Sequence, residues 1–428
     1  MILDRKTAPQ RYPAASIPAM NFKPVKLAGG LPCYLVEGGT EDIVKIDVVF
    51  KAGTRYEHKP LAASICVNML REGSKNYTSE EISETIDFYG AQIAPRLSKD
   101  RAEITLLCQG KHLNKLIDIF TDVFMAPSFP MDKLALYKNR SRSTLAVNLD
   151  KVDFKCRLLF SKLMFGGTPY QDRFELSDYD QIEVEDLNNF FNNHFDLSEA
   201  YCVISGKDTK RASELLNDNI VKKVDYKEIS PFKPEPIEWE YCRGESRGRK
   251  VGAVQTAIRM GAPALSRTHK DYTALYIANV ALGGYFGSRL MQNIREEKGY
   301  TYGIGSGINI LEEASYLSIS TQVGAQFTEA TIDEINNELR KISDIPLEAD
   351  EFELIQYYVA GNLLNRFDGP FATADRLKEI VTHELPTSWY SDFTSAIFNL
   401  NTEEILRVSQ KYMRPDIFSL ALSGEFKQ

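Results

Sequence analysis

Apolar and polar positions along the chain fall into two series that follow one plan. Val48-Val49-Phe50, running into Lys51-Ala52-Gly53-Thr54, predicts a strand that ends in a turn, and Thr256-Ala257-Ile258-Arg259-Met260-Gly261-Ala262 predicts the same. Each is followed by a segment of helical period, from roughly Leu61 to Leu70 stopped by Gly73, and from Tyr272 to Leu282 stopped by Gly283-Gly284. Second helices follow over Ser79 to Tyr89 and Ser288 to Lys298, each opened by a serine suited to N-capping and closed by Gly90 or Gly299. Alternating strands come next, Ala102 to Leu107 and Ser315 to Ser320, and a longer helical stretch succeeds each.

The ends of the two series match most closely. Glu185-Asp186-Leu187 through His194-Phe195 to Val203-Ile204-Ser205-Gly206 runs parallel to Glu403-Glu404-Ile405 through Tyr412-Met413 to Ala421-Leu422-Ser423-Gly424, at a constant offset. A repeat of this size sets the architecture before any motif is read. It predicts an α+β chain of two homologous domains, residues 1–223 and 251–428, each a mostly antiparallel or mixed sheet with helices packed on one face. Residues 224–250, with Pro231, Pro234, Pro236 and dense charge, suit an extended linker. Two facing domains leave a cleft, a common place for a ligand.

Charge narrows the partners. Lys plus Arg number 51 against 59 Asp plus Glu, a net charge of −8 that disfavours nucleic acid and leaves peptide, protein or small molecule. No run reaches the roughly 18 apolar residues of a membrane span, and Met1-Ile2-Leu3-Asp4-Arg5-Lys6 opens no signal-peptide apolar stretch, so no membrane partner and a cytoplasmic location are the default expectations. Cys33, Cys66, Cys108, Cys156, Cys202 and Cys242 form no Cys-x-x-Cys and read as reduced core residues.

The five histidines, His58, His112, His194, His269 and His383, are too far apart for two to share a helix face, so the local ligand pair of a zincin-type site is absent. His194 reads as packing opposite Tyr412 of the other copy, and His383 as a surface helix end. No phosphate-binding Gly-x-x-x-x-Gly-Lys and no Gly-x-Ser-x-Gly elbow occurs. Gly303, Gly305 and Gly307 read as backbone lying close to something. One block stands out, Gly283 to Gly303, in which Arg295 near a helix end and Tyr302 on the following strand could converge to stabilise an oxyanion. The competing reading makes Arg295 a complement to the helix dipole and Tyr300 and Tyr302 ordinary packing.

At these residues the chain resembles the pitrilysin or insulinase-type zinc peptidases, above all the short branch of mitochondrial processing peptidase and two-chain bacterial peptidases. The resemblance runs through Lys51 to Glu57, Met69-Leu70-Arg71-Glu72-Gly73-Ser74, Phe88-Tyr89-Gly90-Ala91, Gly283 to Tyr302 and Lys411 to Asp416. It implies the same pair of repeated α+β domains, forming half of a clam-shell. Aligned on Met69-Leu70, the family's His-x-x-Glu-His falls on Ser64, Val67 and Asn68, which supply neither good zinc ligands nor a base. The third ligand, a Glu in the family, falls near Thr144 to Ala146, and Lys138 to Asn148 holds no acidic residue. Ala94, Pro95 and Leu97 stand on the family's substrate-pairing edge strand, where Pro95 removes a donor.

Arg295 and Tyr302 match the family's Arg and Tyr, which in its two-chain members reach the scissile carbonyl in a partner's zinc site. The resemblance therefore implies a non-zinc subunit, with no cofactor in this chain, zinc in a homologous partner, a peptide substrate and no peptidase activity alone. Its alternative is an inactive scaffold or assembly protein of the same fold, with the Arg and Tyr merely structural.

Overall fold

The computed structural model describes residues 17–223 and 236–426. Its first half builds a six-stranded sheet from β1 (Lys23–Lys26), β2 (Pro32–Glu37), β3 (Ile43–Phe50), β4 (Gln92–Leu97), β5 (Ala102–Gln109) and β6 (Tyr201–Gly206), in the order β1-β2-β6-β3-β5-β4. The second half builds a five-stranded sheet from β7 (Glu245–Arg249), β8 (Gln255–Pro263), β9 (Thr301–Ile310), β10 (Ser315–Gly324) and β11 (Ser419–Gly424), in the order β7-β11-β8-β10-β9. Omitting β1, the two orders superpose strand for strand, and each sheet has one parallel pair, β2 with β6 and β7 with β11. The repeat read from the sequence is thus a repeat of topology.

Several boundaries differ from expectation. Glu245–Arg249 falls in the segment read as linker, yet it is an edge strand bonded along β11. The linker residues 224–235, Pro231 and Pro234 among them, and the opening Met1 to Lys6 lie outside the described residues. The cap of the Ser79–Phe88 helix is Thr78, one residue before the expected serine. The Thr78 hydroxyl accepts from the Glu81 N–H while the Glu81 carboxylate accepts from Thr78 N–H, a capping box that Ser79 could not complete. The expected cap Ser288 makes no cap bond; its hydroxyl is buried, without a hydrogen-bond partner among the described residues. Gly90 and Gly299 do stop their helices in the left-handed region, at φ 57° and 65°. Gly283 and Gly284 do not; there the Tyr272–Asn279 helix widens into a π-turn over Val280–Gly284. Cys242 is exposed, against expectation, while the other five cysteines are buried.

Each sheet packs its own half's helices on one face, as the amphipathic pattern requires. The opposite faces are covered crosswise. Helix Val152–Phe165 of the first half lies on the second sheet, placing Cys156, Phe160, Met164 and Phe165 against Ala257 and Ala421. Gly261 makes this approach possible, because a Cβ there would stand 2.5 Å from the Phe160 ring. Helix Gly369–Thr382 of the second half lies on the first sheet, where Ala374 and Leu377 meet Val36, Val49, Tyr201 and Val203.

Ion pairs follow the same crossing. Asp47, fully buried on β3, receives Lys45 Nζ at 3.1 Å and Lys378 Nζ at 3.2 Å, while Thr105 donates to its other oxygen at 2.6 Å. Lys378 also reaches Glu103 at 2.7 Å and Asp375 at 3.1 Å. Burial alone would lower the Lys378 pKa, but Asp47 and Glu103 outweigh it and raise it above the ordinary lysine range. At a second junction Arg55 donates to Asp100 at 3.1 Å and to the Tyr170 hydroxyl at 2.9 Å, and pairs with Glu313 of the second half.

Candidate functional site

The turn after β3 carries Glu57, and Leu61 then adopts φ 72°, a left-handed conformation unusual for a leucine, directly before helix Ala62–Met69. That turn brings the Glu57 carboxylate back to the helix start, where it accepts from Ala63 N–H at 3.3 Å. Ser64 and Asn68, one turn apart, share a helix face. Both line a cavity of about 460 Å³, together with Glu57 and Leu61. The facing wall is helix Met131–Leu149, through Tyr137, Arg140, Ser141, Thr144 and Asn148, and the stretch Pro169 to Phe174 closes a third side.

The sequence-aligned positions are therefore brought together in part. Ser64, Asn68 and Thr144, from segments far apart in the chain, meet at one cavity, whereas Val67 is 1% exposed and packs in the core of the first half. The residues present do not fit zinc. Ser64 Oγ donates to Leu61 O at 3.1 Å, Asn68 Nδ2 to Ser64 O at 2.7 Å and Thr144 Oγ1 to Arg140 O at 3.0 Å, so these groups turn to their own helix backbones. At these three positions the side chains offer only neutral oxygen, a poor match for a metal that selects imidazole, thiolate and carboxylate. No group of three or more His, Cys, Asp or Glu among the described residues could hold a metal ion. Two carboxyls stand in the lining, Asp172, which is paired with Lys99, and Glu57. Burial pushes Glu57 up to about 7, against hydrogen bonds from the Ala63 and Leu61 N–H groups and the charges of Lys99 and Arg173.

Reading for a degenerate metal site missed what now dominates this cavity. Lys99 pairs with Asp172 at 2.5 Å, and Arg157 reaches the same carboxylate at 3.4 Å. Arg140 and Arg173, also in the lining, form no salt bridge with a described residue. Arg140 sits inside Lys138 to Asn148, a stretch without acids whose bases form no motif, and nothing local to Arg173 signals a wall position.

Arg295 and Tyr302 lie elsewhere. Arg295 is on the π-wound turn Met291–Glu297, its guanidinium 4.8 Å from the Phe286 ring centre and donating to Glu296 at 2.7 Å. Tyr302 is on β9, the outer strand of the second sheet, and is 94% exposed. Tyr300 stacks on Phe327 at 4.5 Å, so the packing read for both tyrosines holds for Tyr300 alone. Neither Arg295 nor Tyr302 lines the Ser64 cavity, and the hydrogen-bond partner of Arg295 is Glu296, not Tyr302. The glycines of β9 need correction too. A Cβ at Gly303 or Gly307 would meet nothing within 4 Å and one at Gly305 would stand at ordinary contact distance, 3.4 Å from Gly283 O, whereas one at Gly283 would stand 2.6 Å from the Ser306 amide. The close approach belongs to the glycine on the covering turn.

His194 packs as expected, buried between Tyr56 and Phe190 at 5.6 and 4.7 Å. His383 caps its helix and lines a second cavity of about 340 Å³ with Lys51, Arg101 and Glu312, between the halves. The expected edge strand with Pro95 is present as β4, at the rim of the first sheet. No described helix is long and apolar enough to cross a membrane.

Comparison with known proteins agrees with the two-part α+β fold. A family model described as insulinase (peptidase family M16) matches residues 35–163, and one described as peptidase M16 inactive domain matches residues 181–357. An uncharacterized zinc protease YmxG of Bacillus subtilis is 22% identical over 390 residues, covering 89% of this chain and 92% of that protein. A Helicobacter pylori protein named non-peptidase homolog YmxG is 22% identical over 275 residues, 62% of each. Among solved structures, a peptidase M16 inactive domain from Pseudomonas fluorescens superposes with a TM-score of 0.86 at 20% identity, over 95% of this chain and 98% of that one. A protease from Helicobacter pylori superposes at 0.85 with 16% identity, over 94% and 99%. Two repeated α+β halves, with family models matched over residues 35–163 and 181–357, place the chain in the insulinase-type peptidase family M16.

Proposed function

We propose that the chain is the non-zinc subunit of a two-chain metallopeptidase, presenting Arg295 and Tyr302 to the scissile carbonyl of a peptide held in a homologous partner's site. The observation that carries this reading is Tyr302, a phenol 94% exposed on an edge strand, where packing gives no reason for an aromatic residue. Arg295 is a third exposed, and its bond to Glu296 is a surface pair of small worth, readily exchanged for a carbonyl. Guanidinium and phenol are both donors, suited to charge developing on a carbonyl oxygen. Metal, water and general base come from the partner; this chain supplies donors and a wall of the peptide chamber. The two subunits act as a complex, with this chain inert alone.

The test is peptide hydrolysis with zinc analysis, on this chain alone and co-expressed with a His-x-x-Glu-His homologue. Activity is expected only in the mixture, with zinc bound by the partner. Arg295→Ala or Tyr302→Phe is expected to lower kcat of the mixture by about 100-fold without weakening assembly. Unchanged turnover in both variants rejects the reading. A scaffold role is the second reading, favoured by the contacts Arg295 makes within its own chain, to Phe286 and Glu296. A stable mixture that stays inert would establish it.

A further inference from the structure

The cavity lined by Ser64, Asn68 and Thr144 is a built site in its own right. We infer that it binds an organic carboxylate with an apolar or aromatic body, its anionic end between Arg140 and Arg173 and its body against Tyr137, Phe154, Phe174 and Tyr179. Three observations and one general property of arginine carry this. The volume, about 460 Å³, lies within the range of small-molecule sites. Lys99 and Asp172 in the lining neutralise each other at 2.5 Å, whereas Arg140 and Arg173 have no salt-bridge partner among the described residues, leaving cationic charge in the wall. A guanidinium presents a planar fork of donors that fits a carboxylate, and it also lies well on aromatic faces. Finally, four rings stand among neutral hydrogen-bonding groups, Ser64, Asn68, Ser141, Thr144 and Asn148, a lining of apolar walls with a few polar points.

The one carboxyl not already paired, Glu57, acts in the same sense. It retains a proton to about pH 7, so in acid it adds no charge to repel an anion. The groups around it are His58, next in the chain, and Lys99, Asp172 and Arg173. This site needs neither a partner chain nor Arg295 and Tyr302, so it stands apart from the peptidase-subunit reading.

The carboxylate could be that of a free small acid or of a peptide C-terminus. Binding of N-acetyl-phenylalanine and its amide, and of a hexapeptide ending in phenylalanine as acid and as amide, is measured on the full chain by calorimetry. The acids are expected to bind at least about tenfold tighter than the amides, a difference typical of charge-assisted bonds. Arg140→Gln and Arg173→Gln, both at exposed positions, are each expected to weaken acid binding by about tenfold while circular dichroism stays unchanged. Tighter binding of the hexapeptide acid assigns the site to peptide ends, and equal or better binding of the small acid assigns it to metabolite acids. Acid and amide binding alike, no binding of either, or arginine variants without effect would overturn the inference.

Discussion

Glu57 is the residue whose surroundings most change its chemistry. Its carboxyl, at 4.5 in an unfolded chain, is pushed up to about 7 by burial. The proton is therefore held more tightly by the folded chain. Its contribution to stability is full below pH 4.5 and is lost as pH rises through 7. His194 works in the opposite sense, since burial and the nearby His58 lower it from 6.5 to about 4; its contribution is present above pH 6.5 and lost as pH falls through 4. The wild-type profile mixes both, so the difference between wild type and Glu57→Gln isolates the carboxyl. Relative to wild type, Glu57→Gln should gain stability between pH 4.5 and 8, read from urea midpoints. A constant difference across that window would remove Glu57 as a titrating group. In the sequence, Glu57 is the last residue of the family's strand-turn pattern, with no sign of its environment. The shift comes from burial, which exists only in the folded chain.

At the scale of elements, the covering turn Val280–Gly284 and strand β9 show what the block Gly283 to Gly303 requires. Gly283 lets the turn lie directly on the Ser306 amide, and a methyl group there would stand 2.6 Å from backbone. Gly283→Ala should destabilise the chain by about 1–3 kcal/mol, because backbone cannot yield as a flexible side chain does. Gly303→Ala, with nothing within 4 Å, should cost well under 1 kcal/mol beyond the strand preference of glycine. Thermal unfolding of the pair checks both; equal losses would mean that the strand, not the contact, sets the cost. A glycine-rich block was visible in the sequence, but which glycine meets a neighbour was not. That depends on helix and strand coming together from positions 283 and 306.

At the scale of the whole molecule, each sheet is finished by a helix of the other half, Val152–Phe165 on the second and Gly369–Thr382 on the first. Two halves that share cores in this way should unfold together, as one calorimetric transition whose enthalpy matches its van't Hoff value. Two resolved transitions would show that the crossed helices contribute little. The ion cluster at one crossing is the sharper probe. Asp47 is fully buried, and removing one of its two lysine partners leaves charge that is only half compensated. Lys378→Met should cost about 3 kcal/mol in urea unfolding. A loss below 1 kcal/mol would show that Lys45 alone suffices.

The sequence by itself determined the periodic elements, the two-fold repeat and the absence of imidazole and carboxylate at Ser64, Val67 and Asn68. These rest on local period, on residue type and on order along the chain, all present before folding. Tertiary structure alone decided the crossing of helices between halves, the burial of Val67 beside the cavity-facing Ser64 and Asn68, and the gathering of Arg140 and Arg173 into that cavity. It also decided that Glu245–Arg249 is strand, because an edge strand of polar residues and glycine gains its order from the backbone of β11 and carries no apolar alternation of its own. Contacts between distant segments have no period in the sequence, so they become readable only when the fold closes.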